Sequence, residues 1–311
     1  MSIYSERRGS QMKRAVAIVL VLMIIFSVTG CSGEPRCRLP ERLSLYISGE
    51  CRIVTITPEE YLTGCILAVC DPSFQPEALK AVGAACCGKA LYAIQNAQAG
   101  EFMGADLNDA PAECSAWLSP EAAAAEYPDL DEYAERIAQA VGYAVDTYME
   151  YDGAPAFTPV FRCSSGVSDA GGMPYLAPLE LPGDSADKWY SAVCTVPSEY
   201  ARKALRKYTG SVVLPPKVSD WFTDEVRTPA GTLVTVLFGG AEITGSQLQE
   251  AFGLRSCAIS IIVSGDEFTL TSLGCGGNIG MSAYGAERMA RSGMSAEEIL
   301  ELFYPGANIC R

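Results

Sequence analysis

Four glycines fall within seven residues near the end of the chain: Gly274, Gly276, Gly277 and Gly280. Lacking Cβ atoms, they let a backbone turn through positive φ and approach other groups closely. The run follows an apolar strand-like stretch, residues 268–272, and precedes a short amphipathic helix and Tyr304-Pro305-Gly306. A tight strand-to-helix connection is the structural expectation, and a loop that touches a ligand is the functional one. The spacing is not that of a phosphate-cradling glycine loop, so no nucleotide site is expected. The 311 residues also include no histidine. Chemistry that relies on imidazole as base, shuttle or ligand is thereby excluded.

The length suits one large or two modest domains with a real core. A net charge of −14 argues against nucleic-acid binding, which needs a positive surface to displace counterions. The N-terminal stretch reads as targeting. Met12-Lys13-Arg14 supplies a positive start, residues 15–28 are almost wholly apolar, and Val28-Thr29-Gly30-Cys31 matches a lipobox. Residues 1–31 are therefore expected to be a signal with lipidation at Cys31, or else an uncleaved anchor helix. Either reading places the folded part outside the cytoplasm and tethered to the cell membrane. Twelve cysteines follow Cys31, an even count that fits disulfides in an exported protein. No Cys-x-x-Cys pair occurs, so neither a metal nor any other cofactor is expected. Cys65, Cys86 and Cys257 sit in apolar patterns, where cysteine acts as a small hydrophobe. Some bridges and some buried thiols are expected.

Residues 32–40 read as a linker and 41–311 as the folded domain. Residues 43–48 and 51–56 alternate and form a predicted strand pair. Thr57-Pro58-Glu59-Glu60 is a capping box, followed by Leu62, Cys65, Ile66 and Val69 at helical spacing. Asp71-Pro72 ends that helix and Pro76-Glu77 opens another. Residues 95–128, polar and alanine-rich, look like an insertion or mobile lobe. A helix is expected over 131–145, and Tyr151-Asp152-Gly153 is a hairpin turn. Residues 163–188 form a long Gly/Ser/Pro loop, and loops of that length are usually functional or mobile. A short helix (198–208) and strands at 212–214, 233–238, 257–263 and 268–272 follow. Ser295-Ala296-Glu297-Glu298 caps the last helix. With no βαβ alternation, the expected fold is α+β: mixed helices and mostly antiparallel sheet, with a groove between the first helix, the central Ser/Gly loop and the C-terminal glycine loop.

Four blocks then carry a family resemblance over about residues 41–310. They are residues 59–64 with 72–81; Asp152-Gly153 leading to Phe161-Arg162-Cys163-Ser164-Ser165-Gly166; Phe252-Gly253-Leu254-Arg255-Ser256; and residues 280–286 with Tyr304-Pro305-Gly306. Together they resemble the stage II sporulation protein D and amidase-enhancer family. That resemblance implies a peptidoglycan lytic transglycosylase. One carboxyl group protonates the glycosidic oxygen and then deprotonates the hydroxyl that closes an anhydro sugar.

The same alignment exposes departures. The family glutamate at the end of the first helix falls at Val69, which cannot transfer a proton. The arginine of the second helix falls at Cys87, and the central-loop histidine at Arg162. The histidine and following glycine of the Gly-His-Gly motif fall at Gly277 and Asn278, and the glutamine after Met-Ser falls at Ala283. Asp71, Glu77 and Asp169 are weak substitutes for the acid, and Asp184 lies in the same long loop as Asp169. Without histidine, Cys163 and its neighbouring serines lack the usual activating base. Groove candidates for glycan contact are Arg162, Cys163, Ser164, Ser165, Gly276, Gly277, Asn278, Ser282 and Tyr284. The expectation is a degenerate member that binds peptidoglycan glycan strands or sporulation cell-wall proteins, with membrane attachment through the N-terminal segment. The alternatives are an active enzyme with a relocated acid, and a septal structural protein without glycan affinity.

Overall fold

The computed structural model describes residues 37–98, 100–111 and 113–311. The signal and lipobox expectation, Cys31 included, lies outside the described residues, as does most of the linker. Among the described residues no helix is long and apolar enough to cross a membrane.

The chain enters through β1 (Leu43–Ile47) and β2 (Arg52–Ile56), an antiparallel pair in register from Leu43↔Ile56 to Ile47↔Arg52. The first helix, α1 (Pro58–Val69), opens on the expected capping box: Thr57 accepts from the Glu60 N–H, and Glu60 reaches back to the Thr57 N–H. Its apolar stripe is buried, with Leu62 and Ile66 at 0% exposure and Val69 at 8%. Helix α2 (Pro76–Asn96) buries 14 of its 21 residues, so it is enclosed rather than laid on a surface. Its alanines and glycines make that possible. A Cβ on Gly83 would stand 2.8 Å from the Cβ of Ala144, and one on Gly88 would stand 2.7 Å from the Thr158 hydroxyl.

Residues 95–128 supply β3 (Leu107–Asn108), parallel to β1, and α3 (Pro120–Glu126), capped by Ser119. Leu107, Cys114 and Ala123 from this stretch are buried in the core around α2. Gly64 of α1 leaves the space that Trp117 fills: an added Cβ would lie 2.2 Å from its indole nitrogen. Helix α4 (Ala134–Val145) packs Ile137, Ala140 and Val141 inward, after a 3₁₀ turn at Leu130–Tyr133. Strands β4 (Tyr148–Tyr151) and β5 (Ala154–Pro155) form the expected hairpin, with Asp152 and Gly153 both at positive φ. Strand β6 (Val160–Phe161) leads into the long loop.

A second core follows. Strand β7 (Ser191–Pro197) and helix α5 (Ser198–Thr209) precede β8 (Phe222–Arg227), β9 (Leu233–Phe238) and β10 (Ala241–Thr244). Helix α6 (Gly245–Phe252) is next, then the hairpin β11 (Ile259–Ser264) and β12 (Glu267–Leu273). Strand β12 also pairs antiparallel with β7 over seven positions. Trp221, Phe222, Phe238 and Phe268 interlock here, with ring centroids 4.9–5.9 Å apart. The chain then returns to the first core through β13 (Met281–Ser282), α7 (Ala283–Arg291), α8 (Ala296–Phe303) and β14 (Asn308–Cys310). The Ser295 capping box forms, and Ile299, Leu300 and Phe303 are buried.

The architecture is α+β, and seven of the nine strand pairings are antiparallel. Both cores belong to the unit Arg38–Arg311. One expected strand, 212–214, is absent. Gly210 at φ +67° precedes it, and Pro215 and Pro216, which lack ladder donors, follow. Val212 and Leu214 instead cover Gly239 on the second core. No disulfide joins any two of the twelve described cysteines, so the expected bridges are not formed among them. Leu79→Ala, at a fully buried site on α2, should cost about 2–5 kcal/mol, read from urea unfolding of the purified protein.

Candidate functional site

A cleft of about 960 Å³ opens between the two cores. One wall is the end of α1, with Leu67, Ala68 and Val69; facing it are Gly276, Gly277 and Asn278. Phe157, Val160 and Phe161 contribute aromatic and apolar surface, and Leu233 and Val234 of β9 line it with Cys257.

The end of α1 is held firmly. The Tyr127 hydroxyl lies 3.1 Å from the Leu67 carbonyl and 3.0 Å from that of Cys70, meeting carbonyls that the helix leaves unpaired. Arg136 donates to the carbonyls of Ser73 and Phe74 at 2.7 and 3.0 Å, which binds the turn after the helix. The opposite wall depends on glycine. At Gly280 (φ +83°) a Cβ would meet the Pro159 carbonyl oxygen at 2.2 Å, and at Gly276 (φ +107°) it would meet Phe161 at 2.7 Å. Gly277 differs: a Cβ there would meet nothing within 4 Å. Its place on the cleft wall is open space, where the family resemblance puts an imidazole.

Arg162, directly after β6, is anchored through its backbone. Its N–H donates to the Cys275 carbonyl at 3.1 Å, and its carbonyl accepts from the Tyr284 N–H at 2.9 Å. Its guanidinium lies 5.0 Å from the centre of the Trp189 ring. Arg255 lies 4.5 Å from the same ring and donates to the carbonyls of Trp189 and Ser191 at 3.3 and 3.2 Å. Lys89, the single cation on the buried part of α2, also lines the cleft; its ammonium donates to the Pro111 carbonyl at 2.9 Å. Burial lowers its pKa against the opposing pull of Cys86, Cys114 and Cys65.

Of the candidates named from sequence, Val69, Arg162, Gly276, Gly277 and Asn278 are brought together on the cleft. Cys163, Ser164, Ser165, Ser282 and Tyr284 are not on its wall. The Ser164 N–H and the Ser282 hydroxyl both donate to Asp184, at 2.7 and 2.6 Å, and Ser282 also caps α7. The Ser165 carbonyl accepts from the Tyr190 hydroxyl, and Tyr284 packs edge-on against Phe74. Cys163 is 1% exposed, and burial pushes its thiol far up, with Asp187 and Cys275 adding to the effect. A protonated, enclosed thiol is no nucleophile.

The candidate acids are engaged elsewhere. Partial burial pushes the Asp71 carboxyl up. The Ser73 hydroxyl and backbone N–H, with Lys188 and Arg162, outweigh that and hold it below its ordinary 3.8. A general acid near neutral pH needs the opposite shift. Glu77 pairs with Lys80 at 2.6 Å and accepts from the Ala296 N–H at the start of α8 at 2.9 Å. Asp169, a weak substitute on the sequence reading, and Asp184 of the same long loop are 6% and 1% exposed and tie loops together. Asp169 accepts from the Thr232 hydroxyl and from Asn278. Asn278 also donates to the Val167 carbonyl at 3.0 Å.

The sequence reading passed over Lys89, Glu126, Tyr127, Trp189 and Arg255 as cleft residues. Lys89 carried a visible signal, as the one cation in the small apolar run of residues 81–90. Arg255 stood inside a block quoted for the resemblance. Glu126, at the exposed end of α3, is the carboxylate among the lining residues. Nothing in its local sequence marks it.

No protein-family model matches the chain. The chain is 25% identical over 278 residues to stage II sporulation protein D of Bacillus subtilis (strain 168), covering 87% of this chain and 79% of that protein. It is 26% identical over 279 residues to the protein of the same name from Bacillus amyloliquefaciens, with the same shares covered. The fold is α+β, and the alignment with these relatives spans most of both chains. These similarities support a divergent member of the stage II sporulation protein D family and, at that level, a sporulation-related protein.

Burial pushes the Asp184 carboxyl above its ordinary 3.8, against the Ser282 and Ser164 hydrogen bonds that pull it down. A raised carboxyl holds its proton more tightly folded than unfolded. Its contribution to stability is therefore present below the unfolded value and lost as pH rises through the folded one. Asp184→Asn preserves shape and carries no such loss. Urea unfolding of both proteins should show the balance moving toward the variant as pH rises from below the ordinary carboxylate value to above it.

Proposed function

We propose that this protein is extracytoplasmic and membrane-tethered, and that it holds peptidoglycan glycan strands at its cleft during sporulation without cutting them. The observation that carries this reading is the pairing of Val69 and Gly277 on the cleft. The resemblance puts the proton-transferring carboxyl at one of these positions and an imidazole at the other. Here an apolar side chain lines the first, and the second has no side chain at all. The cleft itself persists, with aromatic and apolar walls suited to sugar faces and a fixed glycine loop opposite the end of α1. Asp71 supports the same reading, because it is held ionised by its neighbours.

A second reading, cleavage through a relocated acid, has one observation in its favour: Glu126 is a carboxylate on the cleft. The two readings part in one assay. Purified protein incubated with glycan strands should retain them in a pull-down and release no anhydro-ended sugars by mass spectrometry. Anhydro products that vanish in Glu126→Gln would establish the second reading instead. Failure to retain strands at all would leave a septal structural role.

A further inference from the structure

We propose that Arg162 and Arg255, set about Trp189, form a binding corner for a carboxylate carried by the ligand of this cleft. The proposal rests on the glycan-binding reading above and names the chemical group recognised. Three cations, Lys89, Arg162 and Arg255, line the cleft against one carboxylate, Glu126, in a chain whose net charge is −14. A cationic slot in an acidic protein concentrates field toward anions.

Arg162 supplies the sharper observation. It is 8% exposed, and its buried Nε has no hydrogen-bond acceptor among the described residues. The Asp187 oxygen nearest it lies 3.9 Å away, beyond hydrogen-bond length, and already accepts from the Trp189 N–H at 2.6 Å. Asp187 therefore offsets charge without satisfying the donor. Leaving a buried guanidinium donor unpaired is costly, and a ligand oxygen removes that cost. Trp189 Nε1 is a second buried donor without a partner at the same corner. Arg255, on the same ring, donates to backbone carbonyls, and no ion pair joins it to a carboxylate among the described residues. A carboxylate fits the planar fork of a guanidinium. The aromatic surface of Phe157 and Phe161 in the same cleft suits an attached sugar ring. The ligand class is an acidic sugar, and Arg162 is a binding residue with no part in bond cleavage.

The test uses the full-length protein and two preparations of glycan strands. One carries free carboxylates on its muramic acid units; in the other those carboxylates are amidated. Affinity is measured by calorimetry for the wild type, Arg162→Gln and Arg255→Met. The wild type should bind the free-acid strands more tightly, and Arg162→Gln should weaken that binding roughly ten- to a hundredfold while leaving the amidated strands unaffected. Arg255 is only half-buried, so Arg255→Met keeps the test open should Arg162→Gln not fold, and it should narrow the same preference. Equal binding of both preparations by the wild type would overturn the carboxylate corner and leave the glycan reading standing. Binding of neither would overturn the glycan reading itself. Inorganic phosphate competing as well as free N-acetylmuramic acid would overturn the assignment to a carboxylated sugar.

Discussion

Helix α2 has no continuous solvent face, and the rest of the molecule is arranged to meet that condition. Its small residues let other elements come unusually close: Ala144 of α4 against Gly83, and Thr158 against Gly88. The Thr158 hydroxyl donates to the Ala85 carbonyl at 2.7 Å, so even the polar group at this contact is satisfied. Around that axis α1, α4, α7 and α8 are fixed, and with them the end of α1 where Val69 reaches the cleft. The single ammonium on this buried surface, Lys89, is placed by the same packing. A side chain larger than glycine at 83 or 88 would move the cleft wall before it touched any ligand.

The second constraint is the set of backbone links between the long loop and the glycine loop. Cys163 and Cys275 exchange both backbone hydrogen bonds, at 3.3 and 2.8 Å, and Asp169 donates its N–H to the Asn278 carbonyl at 2.7 Å. Residues named as ligand contacts from the sequence are spent on this knitting: the Asn278 side chain bonds Val167 and Asp169, while the Ser164 N–H and the Ser282 hydroxyl share Asp184. The polar network preserves the shape of a cleft whose walls carry valine at 69 and glycine at 277. Shape and chemistry are separable here because they reside in different atoms. The scaffold needs buried hydrogen bonds and positive φ at Gly276 and Gly280, and neither depends on what occupies 69 or 277.

Much of the first core was legible, because its signals are local. The two capping boxes, the paired prolines at helix starts, the alternating residues 43–56 and the Asp152-Gly153 turn each dictate structure within a few residues. The second core was read less well. Strand β7 alternates between exposed and half-exposed side chains, so its pattern is weak, and it is defined by pairing with β12 some seventy residues later. Helix α3 buries one residue, Ala123, and gives no stripe to detect. The Val212 to Leu214 segment looked like a strand because both ends are apolar, yet its neighbours remove the ladder. In the cleft, Val69 and Gly277 were found by alignment of motifs. The meeting of Arg162, Trp189 and Arg255 is a tertiary fact that no local spacing encodes.

The most direct test is a structure of the protein with a muramic-acid-containing oligosaccharide bound. The sugar chain should lie between Val69 and Gly277, with no carboxylate oxygen of the protein within about 3 Å of a glycosidic oxygen. A glycosidic oxygen in hydrogen-bond contact with Glu126, or a sugar bound away from this cleft, would contradict it.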